Sequence, residues 1–237
     1  MIGLFIFLFG LAVGSFLNVI ILRLGKKSFW TGRSECMKCR KKIAWFDNIP
    51  LLSFLILKAK CRRCHDVISW QYPIVEFITG LLFFWAYLLF GLTTLFAFNA
   101  LMISFLVVIF VYDLKHYLIL DKVSIPAMIV AIAFNLYLGH AWSDLLLAGA
   151  IGAGFFAAQF FISKGKWIGD GDIRLGALMG FILGVKLVLV ALMIAYLIGS
   201  VFGIALMMLK KKGLSSEVPF GPFLTTAGRV CLRAFLS

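Results

Sequence analysis

Two pairs of cysteines and a small set of aspartates are the residues in this chain whose types and spacing could do chemistry. Cys36-Met37-Lys38-Cys39 and Cys61-Arg62-Arg63-Cys64 are two CxxC pairs with 21 residues between them. Two residues between thiolates let both sulfurs turn toward one ion, and two such pairs complete a tetrahedral four-thiolate zinc site. A closed site of this kind has no open coordination position, so the Zn2+ it would hold is structural and not hydrolytic. The competing reading is a pair of disulfides, which a reducing compartment disfavours. His65 directly follows Cys64, but a fifth ligand is unnecessary, and Cys231 reads as a packing residue of an apolar segment.

The aspartates give a second kind of chemistry. Gly169-Asp170-Gly171-Asp172 is a GxGD sequence opening an apolar stretch, Asp113 closes an earlier one, and Asp121 precedes the next. Glycines here allow positive φ and close backbone approach, which would present Asp172 at the mouth of a helix. Two carboxyls held together can share a proton, leaving a base to activate water and an acid to protonate a carbonyl. That is peptide hydrolysis without a metal or a nucleophilic side chain. The plainer reading is that Asp172 caps a helix after a glycine turn, and that Asp113, Asp121, Asp170 and Asp172 are interfacial residues balancing nearby Lys and Arg. Both readings stand on spacing alone. Asp144 reads as a loop or cap residue, and Glu76, after Tyr72-Pro73, is open to a capping or a site role.

The elements that must position these groups are membrane helices. The chain is 63% hydrophobic with a mean hydropathy of +1.05, far above soluble domains. Hydrocarbon requires about 20 apolar residues per spanning helix. Met1 to Leu22, Phe77 to Tyr112, Val123 to Ser143, Leu145 to Ser163 and Leu187 to Leu209 are the strongest runs. Phe77 to Tyr112 would extend roughly 54 Å as one helix, so it is predicted to be two spans turned near Gly91-Leu92-Thr93-Thr94. Ile173 to Val185 is short, and Val218 to Ser237 carries Arg229 and Arg233. The expectation is an all-α polytopic membrane protein of seven to eight transmembrane helices with a small cytoplasmic four-cysteine zinc domain. Its expected divisions are a first transmembrane helix over 1–23, the zinc domain over 24–72, and a transmembrane domain over 73–237. The first run is too long for a signal-peptide core and lacks a basic leading segment, so it reads as a retained span. No internal repeat is visible.

The formal charge of +13 invites a nucleic-acid reading, yet the basic residues are concentrated. Twelve Lys or Arg lie between Arg23 and Cys64, against Glu35 and Asp47. The positive-inside rule makes that loop cytoplasmic and the amino terminus external. Counting spans onward puts Asp113 to Lys122, Ser163 to Asp172 and Lys210 to Glu217 on the same side, with Lys186 at an outer turn. Asp113 and Asp172 then share one face of the bilayer, and no nucleic acid is needed to explain the charge.

In order along the chain, these motifs resemble the type IV prepilin peptidase family, also called leader peptidase/N-methyltransferase. Gly14-Ser15-Phe16-Leu17-Asn18-Val19 with Arg23-Leu24 resembles its amino-terminal signature. The two CxxC pairs, Asp47 to Ser53 and Tyr72-Pro73-Ile74-Val75-Glu76 resemble its cytoplasmic domain. Asp113, Asp121, Gly169 to Leu175 and Pro219-Phe220-Gly221-Pro222-Phe223-Leu224 complete the pattern. The resemblance implies a GxGD intramembrane aspartyl protease of the bacterial cytoplasmic membrane. It implies cleavage of the short basic leader of a prepilin or pseudopilin at the cytoplasmic face, and methylation of the new amino terminus from S-adenosyl-L-methionine. It also implies Asp113 and Asp172 as the catalytic dyad and Cys36, Cys39, Cys61 and Cys64 as zinc ligands. The methyl-donor residues are left unassigned, with Lys60 and Glu76 as candidates. Partners are the substrate helix and membrane lipid, and the oligomeric state is open. The chain departs from the pattern at Gly25, Leu120, Arg174 and Ala59, the last placing a methyl group where the family has glycine before Lys60-Cys61.

Other classes remain to be weighed. A transporter or assembly factor would carry ionisable groups in mid-span, whereas here they lie at span ends. A preflagellin-type or presenilin-like GxGD enzyme would lack the four-cysteine insertion.

Overall fold

The computed structural model describes residues 1–24, 34–166 and 168–208, with only the helical backbone of 198–200 and 202–208. Gly25, the Lys210 to Lys212 run, Glu217, Pro219 to Leu224, Cys231 and the final apolar segment lie outside the described residues. The chain forms two compact units, Met1–Val108 and Ile109–Ser237.

In the first unit, helix α1 (Ile2–Arg23) packs along α3 (Gln71–Phe90). Neither helix has a polar face, so small residues, which let backbones approach, decide the contact. A Cβ on Gly10 would stand 2.8 Å from the Gly80 Cα, and one on Gly14 would stand 2.7 Å from the Glu76 Cα. Among the described residues, the segment between these helices holds a 3-10 turn (Trp45–Asn48) and a short helix α2 (Leu52–Ile56). Gly91, at φ 60 with open space around it, stops α3. Thr93 then accepts a hydrogen bond from the Phe96 N–H (3.4 Å) and starts α4 (Thr94–His116). The turn expected between Gly91 and Thr94 is therefore present. The division between units falls inside α4, so the four-cysteine segment shares its unit with α1, α3 and the start of α4.

The second unit holds the end of α4, α5 (Asp121–Tyr137), α6 (Trp142–Ser163) and α7 (Asp170–Met208). α7 is interrupted at Gly184, whose φ of 73 and ψ of 175 are not helical. Gly152 of α6 lies against both the Gly176 carbonyl and the Val188 side chain. Those two positions would be roughly 18 Å apart on a straight helix, so the chain folds back at Gly184 and both arms of α7 pack on α6. A turn was expected at Lys186, and the fold-back lies two residues before it. The arm before Gly184 is only about 20 Å long, and it carries the GxGD sequence at its start. Among the described residues, α1, α3, α4, α6 and α7 are long and apolar enough to cross a membrane, and α5 adds a helix of 17 residues. The chain is a multi-pass, all-helical membrane protein.

Candidate active sites and metal centre

The end of α4 is set by Tyr117, which takes φ 52 and donates its N–H to the Asp113 carbonyl at 2.8 Å. The chain therefore leaves its helical path one turn after Asp113. The loop that follows returns to α7, where Ile119 lies against Gly171. Both GxGD glycines adopt ordinary backbone angles, so the expectation of positive φ is corrected: close approach is what Gly171 provides. Asp113 is 5% exposed and Asp172 9%, whereas Asp121 and Asp170 are turned outward. Asp113 and Asp172 lie within electrostatic range of one another. Arg174 binds the two outward carboxylates, at 2.6 Å to Asp121 and 3.4 Å to Asp170.

Asp172 also closes the start of its helix. Its Oδ2 accepts the Gly169 N–H at 3.3 Å, while its own N–H donates to the Gly169 carbonyl at 3.2 Å. Asp172 is therefore not the N-cap but the third residue of α7, reaching back to the residue before the helix as in a capping box. Such a position is ordinarily solvated, and burial close to a second carboxyl is not part of it.

Two polar ties missed in the sequence fix the helices around this pair. Asn135 of α5 donates to the Phe181 carbonyl at 2.9 Å, and the Tyr196 hydroxyl donates to Gln159 Oε1 at 2.5 Å. The only sequence signal for them is a lone amide in an otherwise apolar helix, which hydrocarbon tolerates when a partner is present.

In the first unit the two CxxC segments adopt one conformation 25 residues apart. The Cys36 carbonyl accepts from Arg40 N–H (2.9 Å) and the Cys61 carbonyl from His65 N–H (3.0 Å). Cys36 N–H donates to the Lys41 carbonyl (3.0 Å) and Cys61 N–H to that of Asp66 (2.8 Å). Arg40 and His65 have φ of 54 and 55, and the bridges Glu35 to Lys42 and Lys60 to Val67 close each loop. His65 is the conformational twin of Arg40, at the surface as expected.

The four sulfurs lie within 4.8 Å of one another, with Cys36 and Cys64 Sγ 3.7 Å apart. A tetrahedral ion with Zn–S bonds of about 2.3 Å requires sulfurs roughly 3.8 Å apart, whereas a disulfide would bring them to about 2.05 Å. The donor set fits a four-thiolate ion. Amide donors from Cys64 and Arg63 lower the Cys61 thiol to about 7. The Asp66 amide lowers Cys64 as well, but burial and hydrogen bonds shared with the other sulfurs outweigh it and raise that thiol to about 11. Lys38 ties the two loops through Asp66 (2.9 Å), and Arg62 makes a bidentate pair with Asp47 while lying over the Phe46 ring.

Between the four-cysteine cluster and the ends of α1 and α3 lies a cavity of about 860 Å³, lined in part by Ser15, Asn18, Asp47, Arg62, Tyr72 and Glu76. Glu76 is buried, and its Oε2 accepts the Leu51 N–H at 2.9 Å. Lys60 is exposed on its own loop and is not part of the lining.

The family model for the bacterial peptidase A24 N-terminal domain matches residues 8–90, and that for the type IV leader peptidase family matches residues 100–204. Similar proteins called prepilin leader peptidase/N-methyltransferase include one from Aeromonas salmonicida, 34% identical over 96% of this chain and 89% of its own. One from Bacillus subtilis is 34% identical over 92% and 88%. One from Myxococcus xanthus is 37% identical over 87% of this chain, but only 63% of its own length is spanned. No solved structure matches. This chain belongs to the type IV leader peptidase family.

Proposed function

We propose that this protein cleaves the basic leader from prepilins or pseudopilins at the cytoplasmic face of the inner membrane, using Asp113 and Asp172, and then methylates the new amino terminus. The observation that carries the reading is how the four aspartates of the second unit are sorted. Asp121 and Asp170 face outward onto Arg174, while Asp113 and Asp172 are withdrawn from water within electrostatic range of one another. A pair holding one proton supplies both groups that hydrolysis needs. The carboxylate takes a proton from water as its oxygen bonds to the scissile carbonyl carbon, and the carboxylic acid protonates the carbonyl oxygen. Collapse of the tetrahedral adduct breaks the C–N bond, and the proton taken from water passes to the leaving amine.

We assign methyl transfer to the first unit. Its cavity has the size of a small-molecule site, and its Glu76 and Asp47 carboxylates and Tyr72 ring are groups suited to a cationic sulfonium ligand. S-adenosyl-L-methionine, when bound, supplies an electrophilic methyl group. Glu76 supports the candidate role expected of it; Lys60 lies on the outer side of its loop. Cys36, Cys39, Cys61 and Cys64 would hold Zn2+, which would lock the two loops that wall the cavity.

The test is mass spectrometry of a purified prepilin after incubation with the full-length protein and added S-adenosyl-L-methionine. Asp113→Asn and Asp172→Asn should each abolish loss of the leader, whereas Asp170→Asn should keep it. Glu76→Gln should leave cleavage intact and remove the mass of one methyl replacing a hydrogen. Undiminished cleavage by Asp113→Asn or Asp172→Asn would take that residue out of the dyad.

A further inference from the structure

Helix α2 divides its side chains between two surroundings. Ser53 and Phe54, with Leu57 just after the helix, line the cavity of the first unit. Leu52, Leu55 and Ile56 point the other way and are 56%, 69% and 73% exposed. Three large aliphatic residues on one face of a five-residue helix are costly to leave in water. The position of α2 says what covers them.

Leu51, immediately before α2, donates its N–H to Glu76, which lies five residues inside α3. Phe54 of α2 stacks edge-on against Trp70, the residue at which α3 begins, with ring centroids 5.0 Å apart. α3 has 20 residues, about 30 Å of helix, which matches the hydrocarbon thickness with nothing to spare. Its first turn therefore lies at the boundary between headgroups and acyl chains, and α2, stacked on Trp70, lies beside it. The short helix is not carried on top of the zinc-binding loops in bulk water. Lys58 and Lys60 follow it and are exposed, where anionic headgroups would meet them.

We propose that α2 is an interfacial membrane anchor. Leu52, Leu55 and Ile56 are immersed among the upper acyl chains of the leaflet that the zinc-binding loops face, and Lys58 and Lys60 contact lipid phosphates. Lipid then forms the outer support of the helix whose inner side walls the cavity. Amphipathic segments of this kind sit a few ångströms into the interface without spanning it. The proposal does not depend on which residues cleave or methylate a substrate.

The test uses the full chain in nanodiscs of phosphatidylethanolamine and phosphatidylglycerol, with the photoreactive residue p-benzoylphenylalanine in place of Leu55, Ile56 or, as the comparison, Met37. Met37 is similarly exposed but sits in the first CxxC loop. Irradiation should give lipid adducts at positions 55 and 56 several-fold above those at 37. Equal yields at all three positions would overturn the proposal. So would adducts at 55 and 56 to peptides of this chain or to an added prepilin in place of lipid. Should the photoreactive variants fold poorly, Leu55→Trp provides a second reading: its added fluorescence should be quenched by phospholipid brominated near the headgroup end of its acyl chains. Quenching by aqueous iodide alone would sink the idea.

Discussion

Gly171 and Ile119 touch so closely that a Cβ on the glycine would stand 2.8 Å from the Cβ of Ile119. The contact joins the loop leaving Asp113 to the residue preceding Asp172, so it sets how near the two carboxyls come. Gly171→Ala must push the loop and α7 apart, because the obstructing atom is a β-carbon and not a flexible tip. Misplacing catalytic groups by about 1 Å can cost about 100-fold in rate. Cleavage of a prepilin should fall by about that factor, while methylation of a pre-cleaved pilin, assigned to the other unit, should be retained. Initial rates of the two reactions on the same preparation check both halves.

Ala59 takes φ 58, directly after Lys58 at φ 49. Both of its backbone groups are engaged, N–H to Phe54 (2.9 Å) and carbonyl from Ile68 N–H (2.7 Å), so the turn forms despite the methyl group. A side chain in the left-handed region still carries a penalty of about 1 kcal/mol. Ala59→Gly should therefore stabilise the protein, raising the midpoint of thermal unfolding in detergent by about 2–4 °C, with methyl transfer unreduced.

The positive φ at Ala59 was not legible in the sequence, because alanine gives no sign of it. Residues whose role is local and chemical were readable: the CxxC spacing, the turn at Gly91, the aspartates at span ends. What was not readable depends on a partner that no local pattern encodes. Two CxxC loops of identical path share little beyond their cysteines, because the repeat is held by backbone hydrogen bonds that do not specify side chains. Gly176 and Gly180 look like any glycines in an apolar helix until Gly152 and Ala148 are brought against them. The fold-back of α7 lies at Gly184 and not at Lys186, since a positive φ selects glycine whereas charge only selects the exposed tip. For the same reason Asp172 alone could be a cap, and only burial beside Asp113 distinguishes it from Asp170.

Metal loading should depend on pH in a defined direction. A thiol lowered to about 7, as Cys61 is, keeps its thiolate, and the stabilisation it gives the loop, above the ordinary thiol range, and loses both as the pH falls through 7. Cys64, raised to about 11, is still protonated at neutral pH, so an entering ion must displace its proton. Both effects make binding weaker in acid. Zinc release to a chelator, followed with a colorimetric dye, should be faster at pH 6 than at pH 8. Release should open residues 34–70 to proteolysis, while the apolar helices remain uncut. A rate of release independent of pH would argue against thiolate ligation.

Gly152 and Gly176 form a reciprocal contact in which each occupies the space where a Cβ of the other would meet backbone carbonyl. Neither side can yield by rotating a side chain, so a methyl group on either must separate α6 from the first arm of α7. Overpacking of this kind costs about 1–3 kcal/mol, and in hydrocarbon the lost backbone approach is not replaced by a hydrophobic gain. The first arm carries Asp172 four residues before Gly176, with Asn135 holding its far end at Phe181. Displacement of the arm at Gly176 therefore carries Asp172, one turn away, with it. Gly176→Ala should lower prepilin cleavage about 100-fold without lowering the affinity for zinc. Gly154→Ala, on the same helix as Gly152 but with nothing within 4 Å of its Cβ, should leave the rate within about twofold. Equal rates for the two variants would mean that the spacing of these helices does not govern the position of Asp172.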